Sequence, residues 1–174
     1  RVGRRLRRRH PRRFLSIELA NICNLHCAYC LRDEAMLYGR ADFPTPDRIF
    51  EVVDAAATEW KNLTVTFTGG EPLIQEKRWS AHMEAPSAVR PHARFEIETN
   101  GTLLPGTDFL SKIDQINVSP KLANSGVAGD LRDKPDILRD LAKTGKADFK
   151  FVIGTPTDLD EVLALLAKIP IAPD

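Results

Sequence analysis

Three cysteines lie close together in the sequence and could hold a metal cofactor. Cys23, Cys27 and Cys30 follow the spacing C-x3-C-x2-C within the segment NICNLHCAYC, and the chain has no other cysteine. Three clustered thiols cannot all pair with one another, which argues against a secreted disulfide framework. Three thiolates on one loop can instead hold three irons of a [4Fe–4S] cluster, because soft sulfur ligands suit that cluster and its fourth iron stays open for another ligand.

The same cysteines leave two other interpretations open. A structural zinc site needs a fourth ligand to close its tetrahedron. His26, inside the cysteine segment, and His10, near the N-terminus, are not well placed to supply that ligand. The cysteines could also be unligated core residues. We interpret the remaining histidines, His82 and His92, as solvated surface residues.

The overall composition is that of an ordinary globular protein in a reducing compartment. The 174 residues suffice for one domain with a hydrophobic core. No run approaches the roughly 18 apolar residues of a membrane-spanning helix, and residues 1–13 lack the apolar stretch of a secretory signal. We therefore expect a cytoplasmic protein with no membrane partner.

The charge is unevenly distributed along the chain. Residues 1–13 hold eight arginines and no acidic residue, whereas the rest of the chain carries 17 basic against 24 acidic residues. Like charges repel and this segment has little to bury, so we expect residues 1–13 to be a disordered leader and residues 14–174 to be the core domain. The leader could be a simple tail, an organelle address or a nucleic-acid-binding arm. Because the chain begins with Arg1 rather than Met, we also expect a fragment.

Alternating strand-like and helix-like segments must position the cysteines. The predicted strands are Phe14–Ala20, Leu63–Thr68, Arg94–Thr99, Gln115–Ser119 and Asp148–Ile153. The predicted helices are Thr45–Trp60, with Thr45 as N-cap and Pro46 in its first turn, then Gln75–Val89, Pro135–Lys143 and Leu159–Ile169. This order predicts an α/β fold in which crossover helices join a parallel sheet, either a barrel or an open sheet. Functional residues of such folds gather beyond the carboxyl ends of the strands, and the unusual motifs of this chain fall there.

Two motifs at consecutive strand ends resemble those of the radical S-adenosylmethionine superfamily. The first is the cysteine spacing after the first predicted strand, with the aromatic Tyr29 before the last cysteine. The second is Thr68-Gly69-Gly70-Glu71-Pro72 after the second strand, which is similar to the family's GGEP motif. The resemblance implies a partial (β/α) barrel, a [4Fe–4S] cluster on the three cysteines, and S-adenosylmethionine chelating the open iron. The glycine pair allows a close approach of the backbone to that cofactor.

Later segments resemble the 7-carboxy-7-deazaguanine synthase family of queuosine biosynthesis. Phe95–Thr102, Ile116–Gly126 and Asp148–Val152 (FEIETNGT, INVSPKLANSG and DFKFV) are similar to segments of that family in order and spacing. On that match, the residues next to S-adenosylmethionine are Tyr29, Cys30, Leu31, Gly69, Gly70, Glu71, Ser119, Pro120 and Lys121. The match also implies that Thr68 and Asn100 face the substrate.

The resemblance implies a lyase reaction. It would convert 6-carboxy-5,6,7,8-tetrahydropterin to 7-carboxy-7-deazaguanine, with release of ammonia, through a 5′-deoxyadenosyl radical. The cofactors would be the cluster, S-adenosylmethionine and Mg²⁺. The expected partners are the pterin, an electron donor of the flavodoxin or ferredoxin type, and a second copy of the chain in a homodimer, without nucleic acid.

The first third of the chain departs from that family. The Asp-Thr pair that helps to hold Mg²⁺ is replaced by Leu31-Arg32, and Arg32 cannot ligate a cation, although Asp33 or Glu34 could supply an oxygen. The arginine that binds the substrate carboxylate is replaced by Leu19. The arginine leader stands in place of the family's Gln-Gly-Glu-Gly segment. The substrate is therefore less firmly indicated than the cofactor chemistry.

Two other functions stay open. One is a different radical enzyme acting on a peptide or protein, which the missing arginine and threonine favour and SPKLANSG disfavours. The other is a non-enzymatic nucleic-acid binder built on the arginine leader and a structural metal. The chain also stops at Ile169–Asp174, where the family enters another strand, so we expect at least one C-terminal strand to be missing.

Overall fold

The computed structural model describes residues 13–18, 23–30, 45–83 and 93–169. Within these ranges, five strands form one sheet in chain order: β1 Arg13–Glu18, β2 Leu63–Thr68, β3 Arg94–Thr99, β4 Gln115–Val118 and β5 Ala147–Phe149. All neighbouring pairs are parallel. Parallel neighbours need crossover connections, and the chain supplies helices for them. The predicted α/β class with a parallel sheet is confirmed.

Six helices lie among the described residues. They are α1 Pro46–Glu59, α2 Glu76–Met83, α3 Thr107–Lys112, α4 Gly129–Arg132, α5 Pro135–Lys143 and α6 Pro156–Lys168, with 3₁₀ turns at Pro72–Gln75 and Ala123–Ser125. The N-cap predicted for α1 is present, since the Thr45 hydroxyl accepts a hydrogen bond from the Arg48 backbone N–H at 3.4 Å. A capping box formed by Thr155 and Asp158 begins α6.

The two faces of the sheet differ, because successive side chains of a strand point to opposite faces. One face is apolar: its strand residues include Val65, Phe67, Phe95, Ile97, Ile116 and Val118, and the helices cover them with Phe50, Val53, Phe109, Leu138, Leu141 and Leu165. The other face carries partly buried polar side chains, among them Thr66, Thr68, Glu96, Glu98 and Asn117. The sheet thus holds the core on one side and presents polar groups on the other.

Two predicted boundaries were wrong by three residues or more. The last strand ends at Phe149 instead of Ile153. The Lys150 backbone N–H still reaches the Val118 carbonyl at 2.8 Å, but β4 is then followed by Pro120, which offers no N–H for further pairing. The last helix begins at Pro156 instead of Leu159. Its apolar periodicity begins at Leu159, but the capping box of Thr155 and Asp158 starts the helix three residues earlier.

Smaller differences concern the ends of other elements. The first strand is Arg13–Glu18 instead of Phe14–Ala20, so Arg13 of the predicted leader belongs to β1. The helix predicted from Gln75 begins at Glu76 after a 3₁₀ turn and is described to Met83. Helices α3 and α4 were not predicted, since six and four residues are too short to show periodicity.

Several predictions fall outside the described residues. They concern the leader up to residue 12, including His10, and also Leu19, Leu31, Arg32, Asp33, Glu34, His92 and residues 170–174. None of the described helices is long and apolar enough to cross a membrane. The cytoplasmic location stays a prediction.

Candidate functional site

A cavity of about 190 Å³ lies where the cysteine segment meets the carboxyl ends of the strands. Most of the residues that the sequence singled out line it together: Cys23, Cys27, Tyr29, Cys30, Thr68, Gly69, Gly70, Asn100, Ser119 and Lys121. Four more lining residues were not predicted: Leu25, Glu98, Thr99 and Lys150. The fold therefore brings segments that are far apart in the chain to one small site.

The three cysteines are free thiols on the wall of this cavity. Burial raises the pKa of the Cys27 thiol, the positive charge of Lys121 opposes this shift, and the charges of Cys23 and Cys30 raise the pKa further. The thiols therefore lie close enough to influence one another. The cysteine segment is anchored by the Ala28 backbone N–H, which donates to the Ser125 carbonyl at 2.7 Å.

The glycine turn after β2 lies on the same cavity wall. Gly69 and Gly70 have φ angles of 87° and 55°, a left-handed conformation that side-chain-bearing residues adopt only with strain. Both residues line the cavity without a side chain to fill it. The turn can therefore bring backbone groups close to a bound molecule, as predicted for the glycine pair.

Glu71, which follows the glycine pair, lies behind the cavity wall. Its side chain is fully buried and accepts hydrogen bonds from the Leu73 N–H at 3.1 Å, the Thr99 hydroxyl at 2.9 Å and the Asn100 N–H at 2.8 Å. Burial raises the pKa of Glu71, although these hydrogen bonds and the charge of Lys121 act in the opposite direction. Glu71 fastens the glycine turn to the end of β3, and its predicted contact with a cofactor stays a prediction.

Asn100 lines the cavity, but its side chain is bonded within the protein. It is 5% exposed. Its amide nitrogen donates to Asn24 Oδ1 at 2.8 Å, and its Oδ1 accepts from Thr102 N–H at 3.0 Å. These bonds favour a structural use of the side chain over the predicted contact with substrate.

Glu98 and Lys150 form a polar pair that sequence reasoning missed. Glu98 lies on the polar face of β3, where its carboxylate accepts from Lys150 Nζ at 2.7 Å and from the Thr68 hydroxyl at 2.8 Å. The alternation of RFEIET already indicated a polar face for Glu98. Nothing in the sequence around Lys150 indicated that its side chain reaches Glu98. Lys150 follows the three-residue strand β5, and the end of that strand depends on its pairing with β4.

The segment after β4 supplies the opposite wall. Ser119 and Lys121 line the cavity, with Lys121 Nζ donating to Ser119 Oγ at 3.2 Å. Arg132 clamps this segment, because it donates to the Lys121 carbonyl at 3.3 Å and to Glu161 at 2.6 Å. Pro120 faces a separate small cavity beside α5 and α6, so its cofactor contact stays a prediction.

The donor set fits an iron–sulfur cluster. Three soft thiol ligands share one cavity, and the facing glycine turn leaves space that side chains would otherwise fill. Within the described ranges, no three His, Cys, Asp or Glu side chains gather around a point as a single metal ion would require. A cluster has several irons, so its ligands lie further apart than those of one ion.

The histidines lie away from the cavity lining where they are described. His26 is exposed on the cysteine segment. His82 keeps 30% of its side chain exposed. Its Nε2 lies 3.1 Å from Asp47 Oδ1, and its ring stacks on Phe50 at 6.0 Å between centroids. It helps to hold α2 against α1.

This chain is similar to several known proteins. A family model described as the radical SAM superfamily matches residues 17–172. The GTP 3′,8-cyclase of Streptomyces coelicolor is 32% identical over 156 residues, which cover 86% of this chain and 44% of that relative. The 7-carboxy-7-deazaguanine synthase of Pyrobaculum aerophilum is 38% identical over 98 residues, 56% of this chain and 40% of the relative. The chain thus spans less than half the length of these relatives.

Solved structures show the same fold. Native anSMEcpe with bound AdoMet has a TM-score of 0.62 at 18% identity, with 91% of this chain and 49% of that chain covered. BtrN in complex with AdoMet and 2-DOIA has a TM-score of 0.55 at 20% identity, with 82% and 57% covered. At these identities the likeness concerns the fold alone, and it confirms the predicted architecture.

Proposed function

Because the chain belongs to the radical SAM superfamily, we propose that Cys23, Cys27 and Cys30 hold a [4Fe–4S] cluster and that S-adenosylmethionine binds between the cluster and the glycine turn. One observation carries this proposal: the three free thiols and Gly69-Gly70 line a single cavity. When bound, the reduced cluster and S-adenosylmethionine supply a one-electron cleavage that leads to 5′-deoxyadenosine and methionine. The residues of the chain hold both cofactors in register and exclude water.

Two walls of the cavity are proposed to enclose S-adenosylmethionine. Tyr29 and Cys30 lie on one wall, Ser119 and Lys121 on the other, and all four line the cavity. The ammonium of Lys121 is a suitable partner for a carboxylate. Glu71 and Pro120 would act indirectly, by shaping the turns that carry the lining residues. Leu31 stays a prediction outside the described ranges.

We propose a guanine-type heterocycle as the substrate class. GTP and 7-carboxy-7-deazaguanine, named in the two relatives, share a fused 2-amino-4-oxopyrimidine ring, and 6-carboxy-5,6,7,8-tetrahydropterin has the same edge. That edge presents amino and N–H donors beside a carbonyl acceptor. Glu98 and Lys150, 2.7 Å apart on the cavity wall, offer a carboxylate acceptor beside an ammonium donor. Thr68, which donates to Glu98, would keep the carboxylate in place.

The first candidate reaction is the conversion of 6-carboxy-5,6,7,8-tetrahydropterin to 7-carboxy-7-deazaguanine with loss of ammonia. It is supported by the SPKLANSG segment, whose Ser119 and Lys121 line the cavity, and by the 38% identity to the synthase. For this candidate we also propose an electron donor of the flavodoxin or ferredoxin type and assembly of the chain as a homodimer. Mg²⁺ is not part of this proposal, because Asp33 and Glu34, which could supply an oxygen ligand, lie outside the described ranges.

Cyclisation of GTP is the second candidate. The match to the cyclase covers 86% of this chain, against 56% for the synthase. It also agrees with the absence of the synthase's arginine and threonine, which are Leu19 and Arg32 here. A peptide or protein substrate stays a prediction, since the neighbour solved with a peptide is 17% identical and concerns the fold alone.

One anaerobic assay tests the proposal and separates the candidates. The chain is reconstituted with iron and sulfide, reduced, and given S-adenosylmethionine with the pterin, with GTP or with neither. We expect 5′-deoxyadenosine in each case and a several-fold stimulation by one of the two heterocycles, together with a new product mass. A Glu98→Gln variant, which keeps all three thiols, should lose the stimulation.

Each result of that assay has a defined meaning. Stimulation by the pterin with the mass of 7-carboxy-7-deazaguanine selects the first candidate, and stimulation by GTP selects the second. Cleavage that ignores both heterocycles contradicts the substrate class but keeps the radical chemistry. A reconstituted cluster that never cleaves S-adenosylmethionine contradicts the proposed function itself.

A further inference from the structure

A closed ring of side-chain hydrogen bonds joins the end of β3 to the cysteine segment. Asn100 Nδ2 donates to Asn24 Oδ1 at 2.8 Å, and Asn24 Nδ2 donates to Thr102 Oγ1 at 2.7 Å. The ring closes where Thr102 Oγ1 donates to Asn100 Oδ1 at 2.6 Å. Asn24 directly follows Cys23, so the ring fixes the chain beside one of the three thiols.

The same amide group also reaches the thiol. Asn100 Nδ2 lies 3.9 Å from Cys23 Sγ, a distance that the large radius of sulfur permits for a weak N–H···S bond. The backbone N–H of Leu25 donates to the same sulfur at 3.4 Å. Among the described residues, Cys23 is the cysteine whose sulfur receives N–H donors. The environment of the three thiols is therefore asymmetric.

The position of Asn100 is tightly determined. Its backbone N–H donates to the fully buried Glu71 carboxylate at 2.8 Å. The next residue, Gly101, has φ +76°, and a Cβ there would lie 2.6 Å from Leu138 and 2.8 Å from Val118. Neither the backbone nor the amide of Asn100 can shift without breaking buried contacts. A donor held in this way keeps its direction when the sulfur becomes charged.

We propose that Asn100 is a positioning residue that directs an N–H donor at Cys23 Sγ and thereby raises the reduction potential of the cluster, instead of contacting substrate. This inference rests on the proposed cluster. Reduction adds one electron, and hence one negative charge, to the cluster and its thiolates. An N–H donor stabilises the more negative form more strongly, so hydrogen bonds to the ligand sulfurs favour reduction.

The test measures the reduction potential directly. Asn100→Asp and Asn100→Ala are reconstituted anaerobically, iron and sulfide per chain are measured, and each cluster is titrated potentiometrically with the EPR signal of the reduced form as readout. Asn100→Asp keeps the shape and the acceptor for Thr102 but replaces the donor with a charged oxygen. Asn100→Ala, which adds no charge, separates loss of the donor from the effect of that charge. We expect both variants to reduce at more negative potential, by up to about tenfold in the equilibrium constant, which is about 59 mV for one electron.

Asn117→Ala is the matched control. Asn117 lies on the neighbouring strand, and its amide donates to Glu96 Oε2 at 3.4 Å, away from the cavity lining. It should leave the potential unchanged.

Three results would overturn the inference. A wild-type potential in a fully loaded Asn100→Asp or Asn100→Ala variant excludes the role, and if Asn100→Ala fails to fold, the uncharged and nearly isosteric Asn100→Leu takes its place. An equal shift in Asn117→Ala shows a nonspecific effect. A wild-type chain that binds no cluster refutes the proposed function and this inference together, and the iron and sulfide content reveals that case before any titration.

Discussion

Lys150 Nζ lies 2.7 Å from Glu98 Oε1, although 52 residues separate the two in the chain. Partial burial alone would raise the pKa of Glu98, but the hydrogen bonds from Lys150 and Thr68 and the charges of Lys150 and Lys121 outweigh it, and the net shift is downward. Glu98 is therefore ionised at neutral pH. Because the pair is half-exposed, it contributes little to stability, which favours a role in binding.

Glu98→Gln should impair turnover without affecting the cluster. Replacing the carboxylate removes a charged acceptor, worth about 1.5–3 kcal/mol, so we expect kcat/KM for the stimulating heterocycle to fall roughly tenfold to a hundredfold. The control is Glu96→Gln, two residues earlier on the same face of β3 and outside the cavity lining. Equal losses in the two variants would contradict a binding role for Glu98.

Cys27→Ala should abolish cluster assembly. Loss of one of the three proposed ligands should lower iron and sulfide per chain more than about tenfold, since removing even an outer-shell partner costs about 10–100-fold in metal affinity. His26→Ala tests the zinc alternative, because His26 precedes Cys27 but lies outside the cavity lining. Metal content that depends on His26 as strongly as on Cys27 would favour the zinc interpretation.

Gly101→Ala should destabilise the fold strongly. The new Cβ would lie 2.6 Å from Leu138 and 2.8 Å from Val118, at a φ of +76°. Overpacking and left-handed strain together should lower the free energy of unfolding by about 3 kcal/mol. Gly145→Ala has a similar φ of +66° with no atom within 4 Å, and should cost about 1 kcal/mol. Urea unfolding measures both, and matching costs would show that the close contact is unimportant.

Glu71 should make the fold less stable as the pH rises. Burial raises its pKa above the usual 4.5, against the hydrogen bonds and the charge of Lys121. The folded state then holds a proton that the unfolded state has lost, so this contribution to stability is complete below about pH 4.5 and declines as the pH rises through the raised pKa.

Glu71→Gln isolates this effect, since glutamine does not titrate. The free energy of unfolding of the wild type minus that of Glu71→Gln should fall in urea titrations as the pH rises above the ordinary carboxyl pKa of 4.5. The variant also loses part of the bonding to Thr99 and Asn100, which offsets the difference by a constant amount. A difference that is flat, or that rises with pH, would show that burial does not control this carboxyl group.

Local sequence signals predicted the elements where they act over a few residues. Thr45 and Pro46 mark the start of α1 because capping needs only neighbouring backbone groups. The alternation in LTVTFT and RFEIET gave β2 and β3 with their observed ends. The end of β5 could not be predicted in this way, since Pro120, which lies beyond the end of β4, limits its pairing. The start of α6 does have a local signal, Thr155 with Asp158, but the prediction followed the apolar periodicity from Leu159 instead.

The sequence by itself determined the parallel α/β order, the cysteine spacing and the glycine turn, because spacing and backbone freedom are local properties. It also indicated the family, because the cysteine motif and the glycine motif are short segments whose residue types and spacing are sufficient to identify them. Only the tertiary structure decided that Glu98 meets Lys150, that Glu71 lies behind the cavity wall, and that Asn100 reaches Cys23. Those relationships depend on which strand ends are brought together and on how deeply each side chain is buried. Both depend on the packing of distant segments, so neither can be predicted from one segment alone.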